Sequence, residues 1–255
     1  MSDKGADPLI SIIIPALNEG KYIGRTLERV QQGTGVEVIV VDGGSVDDTI
    51  RRSIEAGARL MVIKGGRARQ MNAGAQAAQG EILFFLHADT LPPPDFDKAM
   101  RVALEEQRVT AGAFRLGIVG KSAGLRLIER LTDWRCRWLG LPYGDQGLFL
   151  RADLFREMDG FPDLPIMEDF VMVRRLRRRG RIVTLPLAVA TAGRRWQSLG
   201  IWRTTLINQM IILGYYMGVD PAVLARCYRG RRGRNAPVKT SSKLWEFIKL
   251  KSVPG

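Results

Sequence analysis

Histidine occurs once in the 255 residues and cysteine twice. The lone His87 cannot build a histidine-based zinc site. Cys136 and Cys227 are far apart and lack metal-ligand spacing, so they supply neither a zinc motif nor a disulfide framework. The first residues, Met1 to Asp7, carry no signal-peptide pattern, and a reducing, cytoplasmic setting is expected. A spanning helix needs about 20 apolar residues in a row. The nearest candidate, Ile201 to Val219, is interrupted by Arg203, Asn208 and Gln209, so it reads as an interfacial or core-packed helix. Internal repeats and low-complexity tracts are missing. Acid is scarce at one end: residues 174–255 hold 18 basic and 2 acidic side chains, against 21 and 24 in residues 1–173. The net charge of +13 therefore sits in the last third, which wants phosphate, whether of a nucleotide, a nucleic acid or an anionic membrane, unless it is simply a solvated basic face.

What is present is a regular alternation. Leu9 to Ile14 is apolar, β-branched and closed by Pro15, as expected of a strand buried on both faces. A loop, Ala16 to Gly20, leads to a helix carrying Tyr22, Ile23, Leu27 and Val30. Val36 to Val41 is the second strand and ends at Asp42. Gly43-Gly44-Ser45 then turns into a helix over about Asp47 to Ala56, with Ser45 and the acidic pair placed to cap it. Arg59 to Ile63 is a third strand, Arg67 to Gln79 a third helix, and Glu81 to Leu86 a fourth strand. Four strand–loop–helix units in succession predict a parallel α/β sheet with helices on both faces. Helices are further expected over Asp95–Glu106 and Ser122–Leu139, a half-buried strand over Ala111–Ile118, and a turn into a short strand at Gly144–Leu150. Another helix opens at Pro165–Asp169 with Phe170, Val173 and Leu176 as its core face. Asp220-Pro221 starts a helix that ends in the basic cluster Tyr228–Arg234. Ala236–Gly255 is a loosely held tail with a short amphipathic piece, Leu244–Leu250.

The chain is organised around Glu81 to Pro92. An apolar strand ends abruptly in His87-Ala88-Asp89, followed by Thr90, and Pro92 to Pro94 stop it from continuing. Ligands of open parallel sheets bind at the carboxyl ends of the strands, so this triplet invites a divalent cation and a phosphate. Asp89 alternatively caps the helix beginning near Pro94.

Five segments then fall into one order: Ile14-Pro15-Ala16-Leu17-Asn18-Glu19, Val40 to Ser45 with Asp47-Asp48-Thr49, Asn72-Ala73-Gly74, Leu86-His87-Ala88-Asp89, and Met167-Glu168-Asp169. Together they resemble the family 2 glycosyltransferases of the GT-A (Rossmann-like) fold, over about three quarters of the chain, from Leu9 to Trp196. The likeness is to small bacterial members with His-Ala-Asp in place of the usual Asp-x-Asp.

The resemblance implies an inverting, metal-dependent transfer of sugar from a nucleotide diphosphate-sugar, a UDP-sugar for preference, to a hydroxyl. It also implies roles for individual residues. Asp42 would accept from a base N–H, or cap its own turn. Pro15, Ala16, Asn18 and Glu19 would line the nucleoside with Gly43 and Ser45, Glu19 being otherwise the first-turn acid of its helix. Asp89 would hold Mg²⁺ or Mn²⁺, ions that take oxygen ligands and leave positions for phosphate. His87 and Ala88 would contact ribose or phosphate, unless His87 is a satisfied buried imidazole. Arg67 and Arg69 would reach the diphosphate, or remain solvated.

Asp169 would be the base that takes the acceptor's proton, at a helix start where the dipole favours negative charge; the alternative is a helix cap. Asp145, Gln146 and Glu168 would contact substrate. Gly193-Arg194-Arg195-Trp196 resembles a truncated Gln-x-x-Arg-Trp motif, in which Arg194 or Arg195 would hold the leaving group and Trp196 would contact substrate. The expected division is a catalytic domain over 1–195 and a helical, basic extension over 196–255. That extension suggests a peripheral position on the inner face of the cell membrane and a lipid-linked or otherwise apolar acceptor. A sugar-phosphate nucleotidyltransferase is the rival enzyme, but the loop after the first strand lacks the Gly-rich, basic character it would need. A nucleic-acid-binding module is disfavoured because the aromatic residues follow apolar periodicity rather than interleaving with basic ones.

Overall fold

A computed structural model describes residues 7–229. One eight-stranded sheet runs through it. In chain order the strands are β1 (Ile10–Ala16), β2 (Val36–Asp42), β3 (Arg59–Val62), β4 (Ile82–Phe85), β5 (Thr90–Leu91), β6 (Val109–Val119), β7 (Leu148–Arg151) and β8 (Arg181–Ala192). The spatial order is β3-β2-β1-β4-β7-β6-β8-β5. The first four are parallel, as the repeated strand–loop–helix pattern requires. The second half is mixed: β7 runs antiparallel to β4 and β6, β8 runs parallel to β6, and β5 runs antiparallel to β8.

The helices are α1 (Ile23–Val30), α2 (Thr49–Glu55), α3 (Arg67–Ala77), α4 (Phe96–Glu105), α5 (Ala123–Leu139), α6 (Ala152–Glu157), α7 (Glu168–Arg179), α8 (Arg194–Leu199), α9 (Ile201–Tyr216) and α10 (Pro221–Arg229). Strand periodicity sorts the core into two layers. Ile10, Ile12 and Ile14 of β1 and Ile82 and Phe84 of β4 face α1 and α4 through Ile23, Leu27, Phe96 and Met100. Ile13, Leu83 and Phe85 face the other way, onto Met71 and Ala75 of α3, Phe155 of α6 and Leu176 of α7. Each such side chain, fully removed from water, contributes about 1.5–3 kcal/mol.

The sheet approaches α3 closely at Gly74. A Cβ there would lie 2.6 Å from Ile13 Cγ2 and 3.0 Å from Val41 Cγ2. Both methyls branch from buried strands and have no slack. Gly74→Ala is therefore expected to cost about 1–3 kcal/mol in overpacking, offset in part by about 1 kcal/mol of helix propensity. Thermal denaturation should show a lower Tm, at about 2–4 °C per kcal/mol. Asn72, two residues earlier on α3, accepts from Phe161 N (2.9 Å) and donates to Phe161 O (2.8 Å), pinning the loop after α6.

The structure departs from the sequence expectations in three respects. β1 continues through Pro15 to Ala16, because proline's φ suits an extended strand and Ala16 O still accepts Gly43 N at 2.8 Å. Ser45 does not cap α2; Asp47 Oδ1 accepts Thr49 N at 3.0 Å, while Ser45 turns to Asp42 and Asn18. β5, α6 and the long β8 were not expected. The basic cluster beyond Arg229 and the tail with Leu244–Leu250 lie outside the described residues. α9 and α10 pack on the start of α7, where Met167, Phe170, Ile211 and Leu224 form one buried cluster. Among the described residues no helix is long and apolar enough to cross a membrane.

Candidate active site

The carboxyl ends of β1, β2 and β4 share one rim, since Ala16 pairs with Asp42 at the end of the β1–β2 ladder and Leu86 N donates to Ile13 O. Two loops are zipped together there. Asn18 N donates to Ser45 Oγ (2.8 Å), Asn18 Oδ1 accepts Val46 N (3.0 Å), and Glu19 N donates to Thr49 Oγ1 (2.8 Å). Asn18 takes a positive φ of 56° to do this, a conformation asparagine tolerates well. Gln70 locks the rim from α3, donating to both Ala16 O (2.9 Å) and Val41 O (2.7 Å).

At the centre, His87-Ala88-Asp89 forms a turn closed by Thr90 N on His87 O (3.1 Å). Thr26 donates to Ala88 O (2.8 Å), and Ala192 N at the end of β8 donates to Asp89 O (3.1 Å). The Asp89 carboxylate does not cap α4, whose cap position is Asp95. Instead Asp89 Oδ2 accepts Arg194 Nη2 at 2.5 Å, and the same guanidinium reaches Glu19 Oε1 at 2.9 Å while lying 4.6 Å from the centre of the Tyr22 ring. Glu19 is thus not a first-turn acid of α1. Its Oε2 is buried without a partner, and burial pushes its carboxyl pKa up against the pull of Arg194.

Arg67 organises the far side. Its Nε donates to the buried Glu168 Oε1 at 2.5 Å, its Nη1 meets His87 Nε2 at 3.1 Å, and its Nη2 lies 3.8 Å from Asp169 Oδ2. Burial, and then the Arg67 charge, hold His87 down at about 4. The ring is therefore neutral at pH 7 and accepts from Arg67 at Nε2, which leaves its proton on Nδ1. Asp169 Oδ2 accepts Gly144 N at 2.9 Å. Pro15, Arg67, His87, Gly144 and Asp169 line one narrow cavity. Gly144 is a required approach: a Cβ would sit 2.8 Å from Asp169 Oδ2.

Asp145 stands beside this group. Its Oδ1 is buried without a hydrogen-bond partner, and burial raises its pKa to about 6, opposed by Arg135 and reinforced by Asp169. The folded chain binds this proton more tightly than the unfolded chain does. The group's contribution is therefore most favourable below about pH 4 and is lost as pH rises through about 6, a loss of order 3 kcal/mol. Asp145→Asn should remove that loss: its Tm should exceed the wild type's at pH 7, and the gap should close at pH 4.

Six expectations need correction. Asp42 is fully buried, with Oδ1 accepting Gly44 N and Ser45 N (both 2.7 Å) and Oδ2 accepting the Ser45 hydroxyl, so its carboxylate caps its own loop and is not presented to a base. Gln146 is also fully buried and spent, accepting Tyr143 N (3.0 Å) and donating to Phe114 O (2.9 Å). Arg69 pairs with Asp163 at 2.7 Å on the outer surface, because two residues along a helix turn about 200° from Arg67. Ala88 is core, with its carbonyl taken by Thr26. Trp196 packs on Leu125 and Ile201, with its indole nitrogen buried and unpartnered, rather than reaching the cavity. Glu168 is buried under Arg67 and positions it instead of facing a substrate. The side chain of Arg195 lies outside the described part.

Sequence reasoning missed Gln70, Tyr22 and Arg135. Arg135 lies 3.5 Å from the centre of the Tyr143 ring, beside Asp145. Polar residues on a helix's inner face are the signal for Gln70 and Arg135; Tyr22 reads from sequence as part of the core stripe of its helix.

Among the described residues no three His, Cys, Asp or Glu side chains converge into a metal cage. The donors at Glu19 and Asp89 are hard carboxylate oxygens, one of them orphaned, and a guanidinium now supplies the positive charge between them. This set fits Mg²⁺ or Mn²⁺ drawing its other ligands from phosphate and water, and does not fit a cation wholly enclosed by protein.

The model of the family described as "Glycosyl transferase family 2" matches residues 11–158. Glucosyl-3-phosphoglycerate synthase of Mycolicibacterium paratuberculosis is 32% identical over 96 residues, covering 33% of this chain and 29% of that protein. Undecaprenyl-phosphate 4-deoxy-4-formamido-L-arabinose transferase of Klebsiella pneumoniae is 28% identical over 160 residues, covering 56% and 48%. This chain thus spans well under two thirds of the curated relatives it matches. The mannosyltransferase PcManGT of Pyrobaculum calidifontis, solved with GDP-Man and Mn²⁺, superposes with a TM-score of 0.62 at 20% identity, covering 89% of this chain and 71% of that one. The fold is thereby the GT-A glycosyltransferase fold.

Proposed function

The chain belongs to glycosyl transferase family 2, and from that premise we propose that it is an inverting, metal-dependent glycosyltransferase. It moves a sugar from a nucleotide diphosphate-sugar, a UDP-sugar for preference, to a hydroxyl of a lipid-linked or otherwise apolar acceptor. The observation that carries this reading is the pair of ionic groups on one rim: Glu19–Arg194–Asp89 on one side of His87 and Arg67–Glu168–Asp169 on the other.

The nucleoside lies along Pro15, Ala16 and Asn18, against the loop that Asp42 shapes through Gly43 and Ser45. Asp89 would hold Mg²⁺ or Mn²⁺. When bound, that ion neutralises charge gathering on the departing diphosphate. Arg194 leaves the carboxylates and grips the same diphosphate, a donor placed where negative charge develops. Arg67 fixes His87 and keeps Asp169 in place. Asp169 takes the proton of the acceptor hydroxyl at Oδ2 as that oxygen bonds to the anomeric carbon and the bond to the diphosphate breaks. Asp145 faces the acceptor with its free oxygen.

Arg194→Gln separates two roles. It should strengthen Mn²⁺ binding to the nucleotide-free protein, because the competing cation is gone, and weaken nucleoside diphosphate binding. Calorimetric titration of each ligand reads both changes.

The division into a catalytic domain, 1–195, and a basic extension, 196–255, belongs to this proposal, as do the cytoplasmic location and an anionic membrane surface as partner. The undecaprenyl-phosphate substrate named for the Klebsiella relative supports a lipid acceptor. A thermal-shift panel of nucleoside diphosphates and their sugars, with and without Mn²⁺, tests the donor class. Specific, Mn²⁺-dependent stabilisation by one nucleotide is expected, about 2.7 kcal/mol at a hundred times Kd. A flat panel refutes it.

A further inference from the structure

We infer that α5 and α9 form the surface by which this protein docks on an anionic phospholipid bilayer, with Trp134, Trp138 and Trp202 seated at the headgroup level. The inference deepens the membrane partner proposed above and names its place on the molecule, which is the described helices rather than the basic tail.

Both helices present apolar side chains to water where globular helices carry charge. On α5, Leu127, Leu131, Trp134 and Trp138 recur every three or four residues, with Trp134 58% and Trp138 74% exposed. On α9, Trp202 is 73% exposed and is followed by Leu206, Met210 and Leu213 at the same spacing, all exposed. The inner face of α9 is also apolar, through Ile207, Ile211 and Tyr215 packed on Met167 and Phe170. Such a helix, apolar on both sides, asks for an apolar medium outside as well as a core inside.

The two helices are neighbours at their N-terminal ends. Leu125, Ile128, Trp196 and Ile201 share one cluster, and a Cβ on Gly124 would come within 2.7 Å of Ile201 Cδ1.

Charge selects the occupant. α9 has no acidic residue and carries Arg203 exposed beside Trp202. The two acids of α5 are already engaged, Glu129 by Arg126 (2.8 Å) and Asp133 by Arg115 (3.0 Å) and Arg137 (3.2 Å). Lys121 just before α5, and Arg130 and Arg137 on it, are exposed. Tryptophan flanked by arginine is the composition that partitions to an anionic interface. A second copy would bring the same arginines face to face and is disfavoured.

The placement also suits delivery. α5 turns Arg135 inward beside Tyr143 and Asp145, and α9 packs Tyr215 and Tyr216 on Phe170, the residue after Asp169. A bilayer against these helices lies next to the side of the site where an apolar acceptor would enter.

Flotation of the full chain with phosphatidylcholine vesicles containing phosphatidylglycerol, at low salt, tests the inference. The wild type should float, with a blue shift in its tryptophan emission. Trp134→Ser/Trp138→Ser/Trp202→Ser should reduce vesicle binding about tenfold or more, with thermal stabilisation by nucleotide unchanged as proof of folding. A chain ending at Arg229 should still float through the tryptophans. If the wild type floats and the triple variant floats equally, the surface is misplaced and the membrane reading survives. If the wild type does not float, both fall, while the nucleotide panel judges the donor reading separately. A concentration-dependent dimer in sedimentation that the triple variant abolishes would make this face a contact between copies and overturn the inference.

Discussion

Asp169→Asn is expected to reduce sugar transfer by about 10²–10⁴-fold while leaving nucleotide binding intact. The substitution removes the proton acceptor and little else. An amide oxygen can still accept Gly144 N, and Arg67 keeps its buried partner Glu168, so the geometry around His87 survives. Single-turnover transfer together with thermal shift separates the two properties. Unchanged transfer would move the base elsewhere, and Asp145, the neighbouring carboxylate with a free buried oxygen, would be the next residue to replace.

Asp89→Ala should erase the metal-dependent part of donor binding. Arg194 then keeps Glu19 as its ionic partner, so the one carboxylate left in the donor set stays engaged by that guanidinium. Stabilisation by nucleotide should become the same with and without Mn²⁺, a loss of up to about 2.7 kcal/mol where the wild type is held at a hundred times Kd. The fold should persist, because Asp89 is held to β8 through its carbonyl rather than its carboxylate. Metal dependence that survives would place the cation elsewhere.

The parallel half of the sheet was legible because β1, β2 and β4 are mostly apolar, β-strand-length runs, buried throughout in β4 and over the carboxyl-terminal half of β2. The half built from β6, β7 and β8 was not. Residues 181–192 of β8 keep several side chains exposed, so no clean period announces the strand, and β5 is two residues long. The same contrast governs the site. His87, Asp89, Glu19, Asp169 and Arg67 converge because strand ends and one helix start fix where they point. Gln146 and Arg69 differ from expectation because their side chains are spent on partners that no local pattern reveals, a carbonyl on β6 and an aspartate on a distant loop, whereas Asp42 takes the local alternative of capping its own turn. Glu168 and Asp169 are adjacent, yet one is buried as a support while the other opens to the cavity, because successive residues on a helix point about 100° apart.

The central claim is that one donor site lies between Asp89 and Asp169, and a crystal structure with a nucleoside diphosphate and Mn²⁺ tests it most directly. The diphosphate should lie between Asp89 and a displaced Arg194, with its outer end toward Asp169 Oδ2. Nucleotide bound away from this rim, with the Glu19–Arg194–Asp89 bridge still closed, would contradict it.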